Sequence, residues 1–314
     1  MLVLLFSGQG SQRPGMGAPW QGHPSWELVG RLSQASGRDV AELLLTASAE
    51  TLRATRNAQL ATFALSLVAL DAARRGPLAH LGPGRWKAVA GHSLGEYSAL
   101  VAAQVLGPEE GARLVRARGD AMQEAADARP GTMAAVLGLQ LDTLLAVCGT
   151  VPGAWVANDN APGQVVVAGT YEGIEQAGER ALRAGAKRVV PLQVGGAFHT
   201  PLMAPAEDGL GSALQATSFG PAACPVVSNV DASAHVEGFS ELLLAQLCSR
   251  VRWRESLMAL GSEGTHLFVE LGPGTELSSM VRRSVPTAAR ANVARPEDLG
   301  GLEAALGPAG LLPT

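Results

Sequence analysis

The chain has 314 residues, 24 Lys and Arg against 28 Asp and Glu, and a formal net charge of −4, which excludes the basic surface of a nucleic-acid binder. Apolar residues make up 47% and charged residues only 17%, so a sizeable core is available for one large domain or two modest ones, and a disordered chain is excluded. Cys148, Cys224 and Cys248 stand far apart with no CxxC, which points away from a disulfide framework or zinc site and toward a reducing cytoplasm.

The first element is Leu2–Phe6, a short apolar run that reads as a strand and lacks the basic leader of a signal peptide. The glycine-rich SGQGSQRPGMG stops it. Residues Trp26–Arg75 are helical in pattern, and Ala58–Arg74, apolar over most of its circumference, is expected to be buried. Lys87–Ala90 is the next strand, followed by a helix over Leu94–Val105. Pro108 opens another helix to about Asp127, carrying Arg113, Arg116 and Arg118.

The rhythm then changes. Strands are expected at Thr132–Gly138, Ala154–Ala157, Gln164–Ala168 and Arg188–Leu192, with helices at Asp142–Cys148 and Glu172–Ala184. This βαββαβ order is the ferredoxin-like signature, placed as an insertion in a larger α/β unit. Alternation resumes with a helix near Pro201–Leu214, a strand at Pro225–Asn229, and helices at Ser240–Leu247 and Trp253–Ser262. A strand at Leu267–Leu271, a GPG turn and a helix over Glu276–Arg283 follow; the tail beyond Arg295 carries little signal. No apolar run reaches membrane-spanning length, and no membrane association is expected.

The chemistry-bearing segment is VAGHSLGEY, residues 89–97. A strand, a turn carrying Gly91-x-Ser93-x-Gly95 and then a helix form a nucleophile elbow. It presents the Ser93 hydroxyl at a helix N-terminus, where backbone N–H groups stabilise an oxyanion. A plain tight turn is the weaker reading, because both flanking elements are present. His92 is adjacent, but its side chain is expected to point away and to be structural. Of the six histidines, His199 stands out by context: GGAFHTP closes the inserted unit and opens a helix. The residue pattern alone leaves a surface-loop histidine as an equal reading. The first glycine-rich loop follows neither GxGxxG nor the Walker pattern, so it is not expected to cradle phosphate.

FSGQGSQRPGMG, GHSLGEYSALVAA, LVRARGDAMQEA, NDNAPGQVVVAG, GAFHTPLM, PVVSNVDA, QLCSRVRW and VELGPGTELSSMVRR occur in this order. Through them the chain resembles the malonyl-CoA:acyl carrier protein transacylases along essentially its whole length. The resemblance implies an α/β fold: a large α/β-hydrolase-like domain with a parallel sheet (1–128 and 198–314) and a ferredoxin-like subdomain (129–197). Position by position it implies Ser93 as nucleophile, His199 as its base, and Gln246 as the residue whose backbone carbonyl orients the imidazole. It makes Gln9 and Leu94 the oxyanion-hole contributors. It also makes Arg118 the ligand of the malonyl carboxylate, although spacing alone favours a solvated helix face shared with Arg113 and Arg116. Phe198 matches the aromatic associated with malonyl preference. Ser7 departs from the proline of many relatives and is not expected to touch the chemistry.

The implied activity is malonyl transfer from malonyl-CoA to the phosphopantetheine thiol of acyl carrier protein, through a malonyl-serine ester. No cofactor or metal is implied, the compartment is cytoplasmic, and a monomer is expected. Lys187, Arg188, Arg250, Arg252, Arg282 and Arg283 are basic residues available to an acidic carrier. The alternatives are an esterase or thioesterase on a similar fold, a polyketide-type acyltransferase, and a non-catalytic carrier-binding protein. The first lacks an HGGG-like loop and a suitable late histidine, and has no use for a buried cation. Intact Ser93 and His199 argue against the last.

Overall fold

A computed structural model describes residues 1–311. Its strands are β1 (Leu2–Phe6), β2 (Ala88–Gly91), β3 (Thr132–Leu137), β4 (Ala154–Ala161) and β5 (Gln164–Gly169). They continue with β6 (Arg188–Pro191), β7 (Val226–Val227), β8 (Ala234–His235), β9 (Leu267–Leu271) and β10 (Ala289–Val293). Two sheets result, with orders β10-β9-β1-β2-β7-β8 and β4-β5-β3-β6.

The larger sheet is parallel except for its β7–β8 edge. Its centre is β1, with Leu4 opposite both Val89 of β2 and Val269 of β9. Every residue of β1 is buried, as a continuous apolar run demands when helices cover both faces. Leu2, Leu4 and Phe6 join the main core, which includes the helix Thr55–Arg75; Val3 and Leu5 face Trp253, Leu257 and Val281 on the other side. Glu270 at the end of β9 caps the last-but-one helix, Glu276–Ser284, accepting from the N–H groups of Leu277 and Ser278 at 3.1 and 2.7 Å.

The smaller sheet is antiparallel throughout, and its order is the ferredoxin-like one expected from the βαββαβ reading. It has its own core, with Val136, Val156, Val167, Leu144 and Ile174 among its members.

Several boundaries differ from the sequence expectation for physical reasons. The elbow helix ends at Ala102, short of Val105, because Gln104 takes a left-handed φ of 63°. The Pro201–Leu214 helix begins as a 3-10 turn over Pro201–Ala206, with Pro205 inside it; the α-helix proper is Glu207–Gln215. The Pro225–Asn229 strand pairs only over Val226–Val227. A helix over Leu299–Leu306 lies in the tail beyond Arg295 that carried little signal, and β10 lies between Arg283 and Arg295, where no element was expected.

The strand expected at Ala154–Ala157 continues to Ala161, through Asn158, Asp159 and Asn160. Such residues are poor strand formers; tertiary contacts hold them instead. Asp159 N–H donates to the Val251 carbonyl at 2.9 Å, Val251 N–H to that of Ala157 at 2.8 Å, and Arg254 Nε lies 2.9 Å from the Asp159 carboxylate. This extension bulges twice and ties the small sheet to Val251 and to Arg254 of the helix Trp253–Ser262.

Candidate active site

β2 ends at the elbow and the helix Gly95–Ala102 begins there. The two glycines are required by space. A Cβ on Gly91 would stand 1.9 Å from the Gly95 carbonyl carbon, and one on Gly95 would stand 2.1 Å from the Phe6 oxygen. Ser93 between them has φ 52°, and His199 has φ 60°. Left-handed backbone in a non-glycine residue costs on the order of 1–3 kcal/mol and persists only where the surroundings enforce it.

Ser93 Oγ lies 2.8 Å from His199 Nε2, and His199 Nδ1 lies 2.9 Å from the Gln246 backbone oxygen. A carbonyl only accepts, so Nδ1 carries the proton and Nε2 accepts from the serine hydroxyl. Burial, then the nearby positive charge of Arg118, pushes the His199 pKa down to about 3, so the ring is neutral at ordinary pH with Nε2 free to accept a proton.

Arg118 is 1% exposed, whereas Arg113 and Arg116 on the same helix face solvent. One Arg118 terminal nitrogen donates to Ser93 Oγ at 3.1 Å and to Gln246 Oε1 at 2.9 Å, while Nε has no partner among the described residues. Its guanidinium carbon stands 5.3 Å from the centre of the Tyr97 ring, a cation–π contact. Burial lowers its pKa, opposed by Tyr97 and Glu96.

A cavity of about 470 Å³ opens onto these groups, and Gln9, Ser93, Arg118, Phe198 and His199 line it. The Gln9 and Leu94 N–H groups have no acceptor among the described residues. Gln246 and Leu94 are fully buried and sit behind the cavity wall. Ser7 is also buried; its hydroxyl donates to the Pro273 carbonyl at 3.0 Å and joins the first glycine-rich loop to the GPG turn.

His92 turns away from the serine, as expected. Its Nε2 lies 2.8 Å from Asn160 Oδ1 and its ring packs edge-on against Trp253. The other histidines are engaged elsewhere: His23 accepts from Ser25 N–H, His80 meets the Leu311 carbonyl, His235 meets Asp231, and His266 meets the amino terminus. Of the basic residues available to a carrier, Arg250 and Arg252 pair with Glu255 and Arg283 bonds Gln164, while Lys187, Arg188 and Arg282 are exposed.

Two residues escaped the sequence reading. Asn229 accepts the Ser93 N–H through Oδ1 at 2.6 Å and donates through Nδ2 to the Gly91 carbonyl at 2.8 Å, so it braces the elbow from both sides. It lies in PVVSNVDA, but nothing local links it to a serine far back in the chain. Glu96 follows Gly95 directly and is 2% exposed. An acidic residue in a first helical turn reads as an ordinary partner of the helix dipole.

The acyl transferase domain family profile matches residues 3–297. The malonyl CoA-acyl carrier protein transacylase of Bacillus subtilis (strain 168) is 39% identical over 290 residues, 90% of each chain. The crystal structure of an acyl-carrier-protein S-malonyltransferase from Burkholderia pseudomallei 1710b superposes with a TM-score of 0.90 at 35% identity, covering 96% of this chain and 99% of that one. A malonyl-transacylase solved in complex with a type II PKS acyl-carrier protein gives a TM-score of 0.88 at 35% identity, covering 95% and 97%. A buried cation beside a Ser–His pair, on a fold and sequence shared this widely, leads to one assignment: the chain is an acyltransferase and belongs to the family of the malonyl CoA-acyl carrier protein transacylases.

Proposed function

We propose that this enzyme moves a malonyl group from malonyl-CoA to the phosphopantetheine thiol of an acyl carrier protein by a ping-pong mechanism. Ser93 is the nucleophile and His199 the base. The Ser93 hydroxyl gives its proton to His199 Nε2 as Oγ attacks the thioester carbonyl. The developing oxyanion is held by the N–H groups of Gln9 and Leu94. The tetrahedral species collapses, the carbon–sulfur bond breaks, and the imidazolium returns the proton to the coenzyme A sulfur. The carrier thiol then gives its proton to His199, its sulfur attacks the malonyl-serine ester, and Ser93 recovers its hydroxyl. Neither half-reaction calls on a cofactor or metal.

The observation that carries this reading is Arg118, a buried cation 3.1 Å from the nucleophile with its Nε left unpartnered among the described residues. A carboxylate two carbons from the reacting carbonyl is the acyl feature that fits a planar, permanently charged fork there. A simple esterase has no use for it. Phe198, which lines the cavity and is 6% exposed, takes up space that an α-methyl on the malonyl group would need.

The domain division that goes with this reading is 1–128 with 198–314 as the catalytic unit and 129–197 as the ferredoxin-like insertion; residues 312–314 lie outside the described part. Every strand of the small sheet falls within 129–197, in support of those limits. No helix among the described residues is long and apolar enough to cross a membrane. We place the enzyme in the cytoplasm as a monomer that meets an acidic carrier through Lys187, Arg188 and Arg282, whose charges are exposed.

The test is intact mass. Mixed with malonyl-CoA, the protein gains one malonyl group and loses it again to a carrier. Ser93→Ala gains none. A Ser93→Ala protein that loads as fully as wild type would sink the assignment. Running fatty-acid and polyketide carriers in parallel decides which pathway the enzyme serves.

A further inference from the structure

Glu96 belongs to none of the roles above, yet it sits at the centre of the site. Its Oε2 accepts the Asn229 N–H at 3.1 Å and the Gln246 Nε2–H at 2.8 Å. The Ser228 side chain also favours its ionised form. Asn229 in turn braces the elbow at Ser93 N–H and the Gly91 carbonyl. Gln246 donates through the same Nε2 to the Ser93 carbonyl at 3.1 Å, accepts from Arg118 through Oε1, and orients His199 through its backbone oxygen. One buried carboxylate therefore anchors both arms that hold the nucleophile, the base and the cation. It also lies close enough to Arg118 for each to bias the charge of the other.

We propose that Glu96 is a positioning and specificity-determining residue. Through Asn229 and Gln246 it fixes Ser93 and His199, and its charge moderates the pull of Arg118 on the acyl carboxylate. The second half rests on the malonyl reading above. A buried guanidinium with no counter-charge would hold that carboxylate equally in the ground state and the transition state, which tightens binding without speeding transfer. Sharing the cation with Glu96 relieves that hold. A first-turn acid serving only the helix dipole needs no burial and no such bonds.

The geometry separates charge from hydrogen bonding. Both bonds fall on one oxygen, so in Glu96→Gln the amide oxygen accepts both. Glu96→Ala removes bonds and charge together. Glu96→Asp keeps the charge but withdraws the oxygen by one methylene, and it serves where the alanine variant does not fold. Two readouts apply. The rate at which a neutral sulfonyl fluoride labels Ser93 reports positioning and involves no malonyl group. The ratio of kcat/KM for malonyl-CoA over acetyl-CoA, with the KM for malonyl-CoA, reports charge.

Labelling is expected to slow at least about tenfold in Glu96→Ala and Glu96→Asp, and to recover in large part in Glu96→Gln. The malonyl-to-acetyl ratio of Glu96→Gln is expected to rise on the order of tenfold, through a lower KM for malonyl-CoA. Wild-type labelling in the alanine or aspartate variant, or labelling in the glutamine variant as slow as theirs, overturns the positioning role. An unchanged ratio in Glu96→Gln overturns the specificity role alone. A wild-type enzyme that labels normally but takes up no malonyl group sinks the transacylase reading and the specificity role with it, and labelling then decides positioning by itself.

Discussion

The Nδ1 of His199 lies 2.9 Å from the backbone oxygen of Gln246. In a Ser-His-Asp triad an ionised acid stands there; here a peptide carbonyl does. A neutral acceptor fixes the tautomer and ring orientation as an acid does, but adds no charge to stabilise an imidazolium. Nothing at Nδ1 therefore offsets the positive charge that Arg118 places beside the ring, and the imidazolium stays disfavoured.

The orienting group is main chain, so Gln246→Ala leaves it in place. What the substitution removes is the acceptor of Arg118 and the donor to Ser93 O and Glu96. Sulfonyl fluoride labelling of Ser93 is expected to fall less than about tenfold, against the roughly 10²–10⁴-fold loss that His199→Ala brings by removing the base. Equal losses in the two variants would assign the orienting role to the Gln246 side chain.

Burial and Arg118 hold His199 down at about 3. The neutral form needed for proton abstraction is therefore populated far below pH 6.5. The rate at which a neutral sulfonyl fluoride labels Ser93, a readout free of the malonyl carboxylate and so of the Glu96 charge, is expected to run flat from pH 8 to about pH 5, without the inflection an exposed histidine gives. An acid limb centred near 6.5 would contradict the buried, cation-flanked ring. The same shift bears on stability with a definite sign. Below 6.5 the unfolded chain takes up a proton that the folded chain refuses, so this contribution is full above 6.5 and is lost as pH falls toward 3.

Glu96 works in the opposite sense. Desolvation raises its carboxyl from 4.5 to about 7, against hydrogen bonds from Gln246 and Asn229. Below 4.5 both states are protonated and there is no effect. Between 4.5 and 7 the folded state keeps a proton that the unfolded state has lost, so stability drops as pH rises, by about 3 kcal/mol once above 7. Glu96→Gln has no such titration. Denaturation curves of the two proteins are expected to shift in favour of the variant by that order between pH 4.5 and 8. A difference that does not vary with pH would mean the carboxyl titrates as an ordinary one.

What could be read from the sequence was whatever is local. The elbow is a five-residue pattern between two recognisable elements, and the βαββαβ order follows from alternating periods. Arg118 shows the limit. Arg113, Arg116 and Arg118 look alike along the chain, and only the packing of the helix Pro108–Ala128 buries the last of them. The Asn158–Ala161 extension of β4 was hidden because tertiary bonds overrode a poor local propensity. Asn229 and Glu96 were hidden because each works through a partner distant in sequence. β10, ARANV, alternates apolar and polar residues over only five positions, two of the apolar ones alanine, which is too short and weak a pattern to stand out.

The elbow glycines give a structural contrast. In Gly95→Ala the new methyl meets the Phe6 oxygen at 2.1 Å, inside contact distance and against backbone that cannot step aside. A loss of about 3 kcal/mol or more is expected in urea denaturation, with Ser93 labelling lost as well. Gly30, inside the helix Glu27–Ser36, has nothing within 4 Å of its added Cβ. Gly30→Ala is expected to stabilise by about 0.5–1 kcal/mol through helix propensity. Similar effects at the two positions would refute the crowding at the elbow.

Selectivity for the acyl group follows from Arg118. Malonyl-CoA ends in a carboxylate and acetyl-CoA does not. Arg118 is buried and already meets Ser93 Oγ and Gln246 Oε1 through one terminal nitrogen, which leaves Nε without a partner. A charge-assisted pair in such a site is worth about 1.5–3 kcal/mol. At about 1.4 kcal/mol per factor of ten, that is roughly a ten- to hundredfold preference for malonyl. Acetyl-CoA leaves the fork unanswered, a penalty on the wrong substrate that widens the gap. Arg118→Ala is therefore expected to cut kcat/KM for malonyl-CoA by at least about that factor, and to cost acetyl-CoA less or even favour it. Arg118→Lys is expected to rescue only in part, because an ammonium restores the charge but not the planar pair of donors. The ratio of the two kcat/KM values in wild type and both variants is the measurement. A ratio common to all of them would leave the cation without a role in choosing the acyl group, and Phe198 would be the next residue to test.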